Sequence, residues 1–589
     1  PRSTLARSSA ASDVYKRQFL ACTPSLMAQT TANSLNAQRS NDRPNIVLVI
    51  SEDLSPRFGC YGDKVANTPN IDALAAEGVR FTNVHTMAGV SGPSRSGLIT
   101  GVPQNFTNLL HMRSCQYEGG NYFAVPQPEI KAYPELMRRE GYFTYCDVKF
   151  DYQFGLPSSC NVFTIWNAVE EKGYQDISSH TLKPVWRTLN IKDRPFFLNY
   201  NPQITHESGL FNSEDPSLPK AFKASACKWD TLRAMYKYTP TDPKKVKLDP
   251  FFIDTKATRK EIARHYDNIQ VMDQQVGQLI DNLKKDGLWE NTIFILTTDH
   301  GDCLPRSKRD GYNSSTHVPM IIHVPSQYRP QWLGDNGSID DRLISFEDLT
   351  PTLLGFAGVK QPEYMQGIDL SDDQPAERKY VMAGRGRQAN AQWHSFFVQS
   401  KHFQYVRNLT KDPNGISVAY RNVLSTVKDL NNAHKNGTLP EYMKSWFEKR
   451  PIEEFYDLDK DPYQLNNVIH DSAYTNIIQE FRNELDKWRD RGNDATLIPE
   501  AKLRASMLNA KGEQCVTEQP IVVQDEINHK IYVSNLTDHA SIGYSFDGKE
   551  WEVYTGAFTV PNHIKTVYVK AVRYGWKESD PVVFNCNAQ

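Results

Sequence analysis

"NIVLVISED", residues 45–53, decides the class of fold. A short, almost unbroken apolar run suits a strand buried on both faces of a sheet, and this one ends directly in two acids. "PFFLNY" (195–200), "TIFILTT" (292–298) and "VPMIIHV" (318–324) repeat the pattern. Between such runs lie helices. Ile262, Tyr266, Ile269, Met272, Val276 and Ile280 recur at steps of three and four. "TPNIDALAAEG" (68–78) offers Thr68 as cap, Pro69 in the first turn and Gly78 as stop. This alternation predicts an α/β domain over residues 43–375.

Outward from that domain the pattern changes. "HSFFVQSKHFQYVRNL" alternates like paired strands, and Ile477, Ile478, Phe481, Leu485 and Trp488 form one helical stripe, so residues 376–508 read as a smaller α+β subdomain. From 512 to 589 only strands are expected, including a hairpin built on Asp547-Gly548, which predicts a small β-sandwich. Residues 1–42 read as a leader remnant, partly artefactual. "PRSTLARSSAASDVYKRQ" lacks any hydrophobic period, whereas "FLACTPSLMAQ" suits the tail of a secretory signal cleaved after Ala28, with a lipoprotein box at Cys22 as the alternative. The expectation is an exported protein, periplasmic or extracellular. Of the cysteines, Cys515 and Cys586 flank the last segment and are a candidate disulfide, or equally free thiols.

Composition narrows the function classes. The 589 residues are 39% hydrophobic and 23% charged, with a formal net charge of −2. A nucleic-acid footprint needs a basic excess, so no nucleic-acid partner is expected. No stretch after the leader has the roughly 20 apolar residues of a membrane span.

Functional groups in open α/β sheets collect just past the carboxyl ends of strands. Glu52 and Asp53 follow the first run, and Asp299 and His300 follow "TIFILTT". Converging carboxylates repel, so a divalent cation is the natural resolution, and oxygen-rich ligands point to calcium or magnesium. Singly, "ED" and "DHG" are common caps and turns. A third stretch, "VSGPSRSGLITG" (90–101), reads as a helix capped by Ser91 or Gly92, with Pro93 first inside and Gly101 as stop. Ser91 then lies at the positive end of a helix beside Arg95, where an anion is welcome. With a cation beside them, an oxyanion can be bound, polarised and attacked. Lys149 and Lys308 are candidate additional cations.

"SGPSRSGLITG" resembles the sulfatase signature, a cysteine or serine followed by x-P-S-R and a closing T-G. "SED" is similar to the family's first pair of metal-binding acids, "TTDHG" to its second, and "SKRDGY" to its lysine-x-x-x-tyrosine segment. The likeness runs from about residue 44 to 490. It implies an alkaline-phosphatase-like fold, a mixed sheet sandwiched by helices. It also implies metal ligation by Glu52, Asp53, Ser91, Asp299 and His300, and catalysis by Ser91, Arg95, Lys149, His206 and Lys308. The metal implied is one Ca2+, with Mg2+ or Mn2+ as alternatives. Ser91 would be oxidised to formylglycine by a generating maturase, a transient partner. One hydroxyl of the aldehyde hydrate would attack sulfur, His206 would protonate the leaving atom, and the second hydroxyl would expel sulfate. Three departures stand out: Glu52 for the usual aspartate, His300 where asparagine is commoner, and Asp151 where a histidine is usual.

The substrate implied is a sulfated oligosaccharide or glycosaminoglycan. The landmarks look most like the heparan N-sulfatase (sulfamidase) branch, with O-sulfatase action on iduronate or glucosamine close behind. A phosphoesterase or phosphonate hydrolase of the same superfamily, and a non-catalytic glycan-binding protein, are the rival classes.

Overall fold

The computed structural model describes residues 43–156, 162–191, 193–388, 394–410 and 420–586. The leader, with Cys22 and Ala28, lies outside the described residues. Eight strands make the central sheet: β1 (Asn45–Ser51), β2 (Val79–His85), β3 (Phe143–Cys146), β4 (Ala168–Val169), β5 (Phe196–Tyr200), β6 (Thr292–Thr298), β7 (His317–His323) and β8 (Ile339–Ser345). Their order is β4-β3-β5-β1-β6-β7-β2-β8, with β7 antiparallel to both neighbours and the other pairings parallel.

Burial on both faces explains the unbroken apolar runs. Ile46, Leu48 and Ile50 enter one core, with residues of α2 (Ser91–Thr100), α3 (Tyr133–Arg139) and α6 (Phe346–Phe356). Val47 and Val49 enter the other, with α1 (Pro69–Glu77), α4 (Lys220–Ala234) and α5 (Lys256–Lys285). Each buried aliphatic side chain contributes roughly 1.5–3 kcal/mol. The sheet is therefore mixed and covered by helices on both sides, as the sequence suggested.

The helix at the signature differs from the expectation. It starts at Ser91, not after it, and the capping position is Val90, in extended backbone with no side-chain cap bond. Gly101 ends it in the left-handed region at φ 66°. A Cβ there would meet Thr350 and Met365 at 2.9 Å, so both conformation and space favour glycine.

Beyond the central sheet, β9 (Val381–Arg385), β10 (Ser395–Gln399), β11 (Phe403–Asn408) and β12 (Glu453–Asp457) form an antiparallel sheet. Helix α7 (Thr475–Arg489) covers it through Ile478, Phe481, Leu485 and Trp488. The stretch "GRGR" (384–387) is buried: Arg385 ends β9 and Arg387 pairs with Glu500. Two further antiparallel sheets follow, β13 (Ile521–Asp525), β14 (Lys530–Ser534) and β17 (Phe558–Thr559), then β15 (Ser541–Ser545), β16 (Glu552–Val553), β18 (Thr566–Val572) and β19 (Val582–Asn585). They share a core of Ile531, Val533, Val560, Val567 and Val569. β15 and β16 pair as the expected hairpin. The Cys515–Cys586 bridge is not formed; both are free thiols, and Cys586 packs against the module's apolar core.

This C-terminal module docks on α3 through Glu135. The buried carboxylate accepts from Ser541 and Tyr574 of the module, each at 2.7 Å, and from Thr164 at 2.6 Å. Among the described residues no helix is long and apolar enough to cross a membrane.

Candidate active site

Four adjacent parallel strands, β3, β5, β1 and β6, end at one sheet edge. Ser51 pairs with Thr298, so Glu52–Asp53 and Asp299–His300 leave the sheet side by side. Asn199 pairs with Cys146, so Asn201 and Asp147 emerge beside each other. Helix α2 approaches the same edge, and its Ser94 hydroxyl donates to the Asp299 carbonyl at 2.5 Å. Residues far apart in sequence thus converge because register fixes where each strand stops.

Arg95 ties the edge together. Its guanidinium donates to Glu52 Oε1 at 2.5 Å, Asp299 Oδ2 at 3.2 Å and Asn201 Oδ1 at 2.5 Å. Burial disfavours its charge, yet Glu52 and Asp299 outweigh that and raise its pKa. Asn201 is fixed in turn by donating its side-chain amide to Asp147 Oδ1 at 2.5 Å. Burial pushes the Asp147 carboxyl up to about 6. Lys149 Nζ lies 3.3 Å from Glu52 Oε2, and Lys308 Nζ lies 2.5 Å from Asp53 Oδ2. Burial raises the Asp53 carboxyl, but the Lys308 ammonium beside it holds it well below the usual range.

The chemistry of the donor set tests whether a cation fits. His300 Nδ1 lies 2.9 Å from the Gly301 carbonyl, which can only accept, so Nδ1 carries the ring proton. Nε2 then presents a lone pair, 3.1 Å from Ser91 Oγ and 3.1 Å from Asp53 Oδ1. That carboxylate oxygen is buried and has no hydrogen-bond donor among the described residues. Two acceptors facing each other without a proton between them suit a positive ion. Donor atoms of Asp53, Asp299 and His300 lie within 4.8 Å of one another, as do those of Glu52, Asp53 and His206. The residues present fit a divalent cation. Ser91 adds a hydroxyl at the same point and is 2% exposed.

His206 also reaches this cluster. Its Nδ1 accepts from the Ser208 side, with Ser208 Oγ at 2.9 Å, and Trp229 Nε1 donates to that hydroxyl at 2.7 Å. Nε2 therefore carries the proton. Burial and then Lys308 hold the imidazole well below its ordinary pKa, so it is neutral. Asp151, at the position where a histidine was usual, is 1% exposed. Neither of its oxygens has a hydrogen-bond donor among the described residues, and Arg113 is 4.0 Å away.

Sequence reading missed several members of this shell. Glu207 donates its backbone N–H to Asp53 at 2.7 Å and is gripped by Arg309 at 2.9 and 2.6 Å. Each is the chain neighbour of a residue already singled out, His206 or Lys308, and that adjacency was the available signal. Asn201 and Asp147 sit in loops, and Ser208 in the short 3-10 helix Glu207–Leu210, none of them within a period or motif.

Residues 44–359 match the family described as Sulfatase. An ulvan-active sulfatase of Formosa agariphila is 33% identical over 92% of this chain and 91% of its own length. The human N-sulphoglucosamine sulphohydrolase is 25% identical over 76% of this chain and 90% of its own. A structure solved in complex with its substrate D-glucosamine-2-N,6-O-disulfate superposes with a TM-score of 0.51 at 18% identity, covering 77% of this chain and 98% of that one. That last likeness shows the fold.

Proposed function

This chain belongs to the sulfatase family, a hydrolase of sulfuric esters, and from that premise we propose that it is an exported enzyme that removes sulfate from a sulfated polysaccharide through a formylglycine at position 91. The observation that carries the reading is the convergence of Ser91, Arg95 and the acids from two strand ends on one buried point. Asp53, Asp299, His300 and Ser91, with Glu52 beside them, are the residues that would hold a divalent cation, Ca2+ first, with Mg2+ or Mn2+ as alternatives. Once loaded and matured, the site would supply a polarised sulfur and an aldehyde hydrate whose two hydroxyls serve attack and release.

The chain's own residues do the rest. Arg95, Lys149 and Lys308 bring three cations to the sulfate oxygens, each already oriented by a carboxylate. Asn201 and Asp147 hold Arg95 in place. His206 presents a neutral Nε2–H that would donate a hydrogen bond to the departing atom as negative charge develops on it. The cluster is buried, which strengthens each of these electrostatic contacts.

Identity and coverage favour ulvan as the glycan. A heparan-type N-sulfate is the second reading, favoured by the likeness to the sulphoglucosamine enzyme. The protein co-expressed with a formylglycine-generating maturase should show a Ser91 peptide lighter by two hydrogens and should release sulfate from ulvan oligosaccharides. Sulfate release from N-sulfated glucosamine alone would select the second substrate. An unmodified serine in a preparation active on phosphoesters would overturn the sulfatase assignment.

A further inference from the structure

Lys228, on α4, is a cation without a counterion among the described residues. Its Nζ lies 3.7 Å from the centre of the Tyr174 ring and 4.2 Å from that of Trp229. Two aromatic faces attract an ammonium but do not neutralise it. Its hydrogen-bonding is equally thin. The Tyr174 carbonyl is 3.4 Å away, and His180 Nε2 is 3.2 Å away. That nitrogen also lies 2.8 Å from the same carbonyl, so it carries a proton and cannot accept from the lysine. No carboxylate forms an ion pair with Lys228 among the described residues. Burial, then the charge of Lys149, bring the ammonium down to about 8.

The position of this cation gives it meaning. The Trp229 indole that walls it donates to Ser208, and Ser208 sets the tautomer of His206. Lys228 is thereby linked through Trp229 and Ser208 to His206, the residue read above as facing the departing atom. Tyr174 feels the charges of Glu52, Arg113 and Asp53, so the same aromatic wall lies within electrostatic reach of the cluster.

Resting on the sulfatase reading, we propose that Lys228, caged by Tyr174 and Trp229, is a second anion subsite that reads a carboxylate or a second sulfate on the sugar bearing the scissile group or on its neighbour. A bound anion would supply the missing counterion, and the aromatic faces would fix where the ammonium can meet it. Substrates with two negative groups are then preferred over those with one.

Binding without turnover tests this. Protein made without a maturase keeps Ser91 as serine, and calorimetry can compare three sugars: a monosulfated one, one with a sulfate and a carboxylate, and a disulfated one. The wild type should bind at least one dianionic sugar about tenfold more tightly than the monosulfated sugar. Lys228→Met should collapse that ratio towards one, and Lys228→Arg should restore most of it. Which dianion responds to the substitution identifies carboxylate or sulfate as the group read. A wild-type ratio near one, or a ratio that survives in Lys228→Met, overturns the proposal, as does an equal loss for all three sugars. Failure of the matured wild type to release sulfate, with the binding ratio intact, would defeat the sulfatase reading and leave the subsite standing.

Discussion

His206 shows how much of the chemistry is decided by residues that never touch substrate. Its proton sits on Nε2 because Ser208 occupies Nδ1, and Ser208 is itself held by Trp229. Ser208→Ala removes the hydroxyl and leaves Nδ1 only the backbone N–H of residue 208, at 3.2 Å. We expect kcat on sugar sulfates, whose leaving alkoxide depends on the Nε2–H hydrogen bond, to fall by roughly tenfold to a hundredfold, with KM little changed. Aryl sulfates with acidic leaving groups should lose far less, and a comparison of kcat across leaving-group pKa values checks it. Equal losses for both would mean that Ser208 acts on the fold and not on the proton. Nothing in the sequence marked this relay, since a serine two positions after a histidine is unremarkable until the loop turns back on itself.

At the level of elements, the turn after β6 sets the cation site. His300 owes its tautomer to the Gly301 carbonyl, and a Cβ on Gly301 would lie 1.8 Å from the Ser314 carbonyl oxygen. Gly301→Ala must therefore displace the turn. Affinity for a divalent ion, read by calorimetry, should drop by about tenfold to a hundredfold. The strands that carry the acids were legible because both of their faces are buried, which leaves continuous apolar runs. The stripe of α5 was legible for the same reason, with one face only. The start of α2 was not, because Val90 caps by backbone alone and its side chain carries no capping signal. Lys228 and Tyr174 escaped because a lone lysine on a helix and a loop tyrosine have no pattern until the fold brings them together. Family likeness located Ser91, Arg95 and Lys308, and strand register explains why they meet.

For the whole molecule, Glu135 joins the C-terminal module to the catalytic α/β body. Burial raises its carboxyl, but Arg139, Lys131 and the hydrogen bonds from Thr164 and Tyr574 pull it down to about 2. A depressed carboxylate stabilises the folded state above its ordinary pKa, near 4.5, and that stabilisation is lost as pH falls towards 2. The shift corresponds to about 3 kcal/mol. Melting temperature should therefore fall between pH 5 and 3 in the wild type, and Glu135→Gln should start lower at pH 7 and show a flatter acid limb. Calorimetric scans across that range would test both. Helix α2 bears on a different question, the order of events in the life of the chain. All ten of its residues are buried, Ser91 among them. A maturase acting on Ser91 as proposed could not thread that segment through its own cleft once the sheet had closed around it, so the side chain would have to be altered while the polypeptide is still slack. On that proposal, purified, folded protein that carries serine would be a dead end, recoverable only by unfolding it in the presence of the modifying enzyme and letting it fold again.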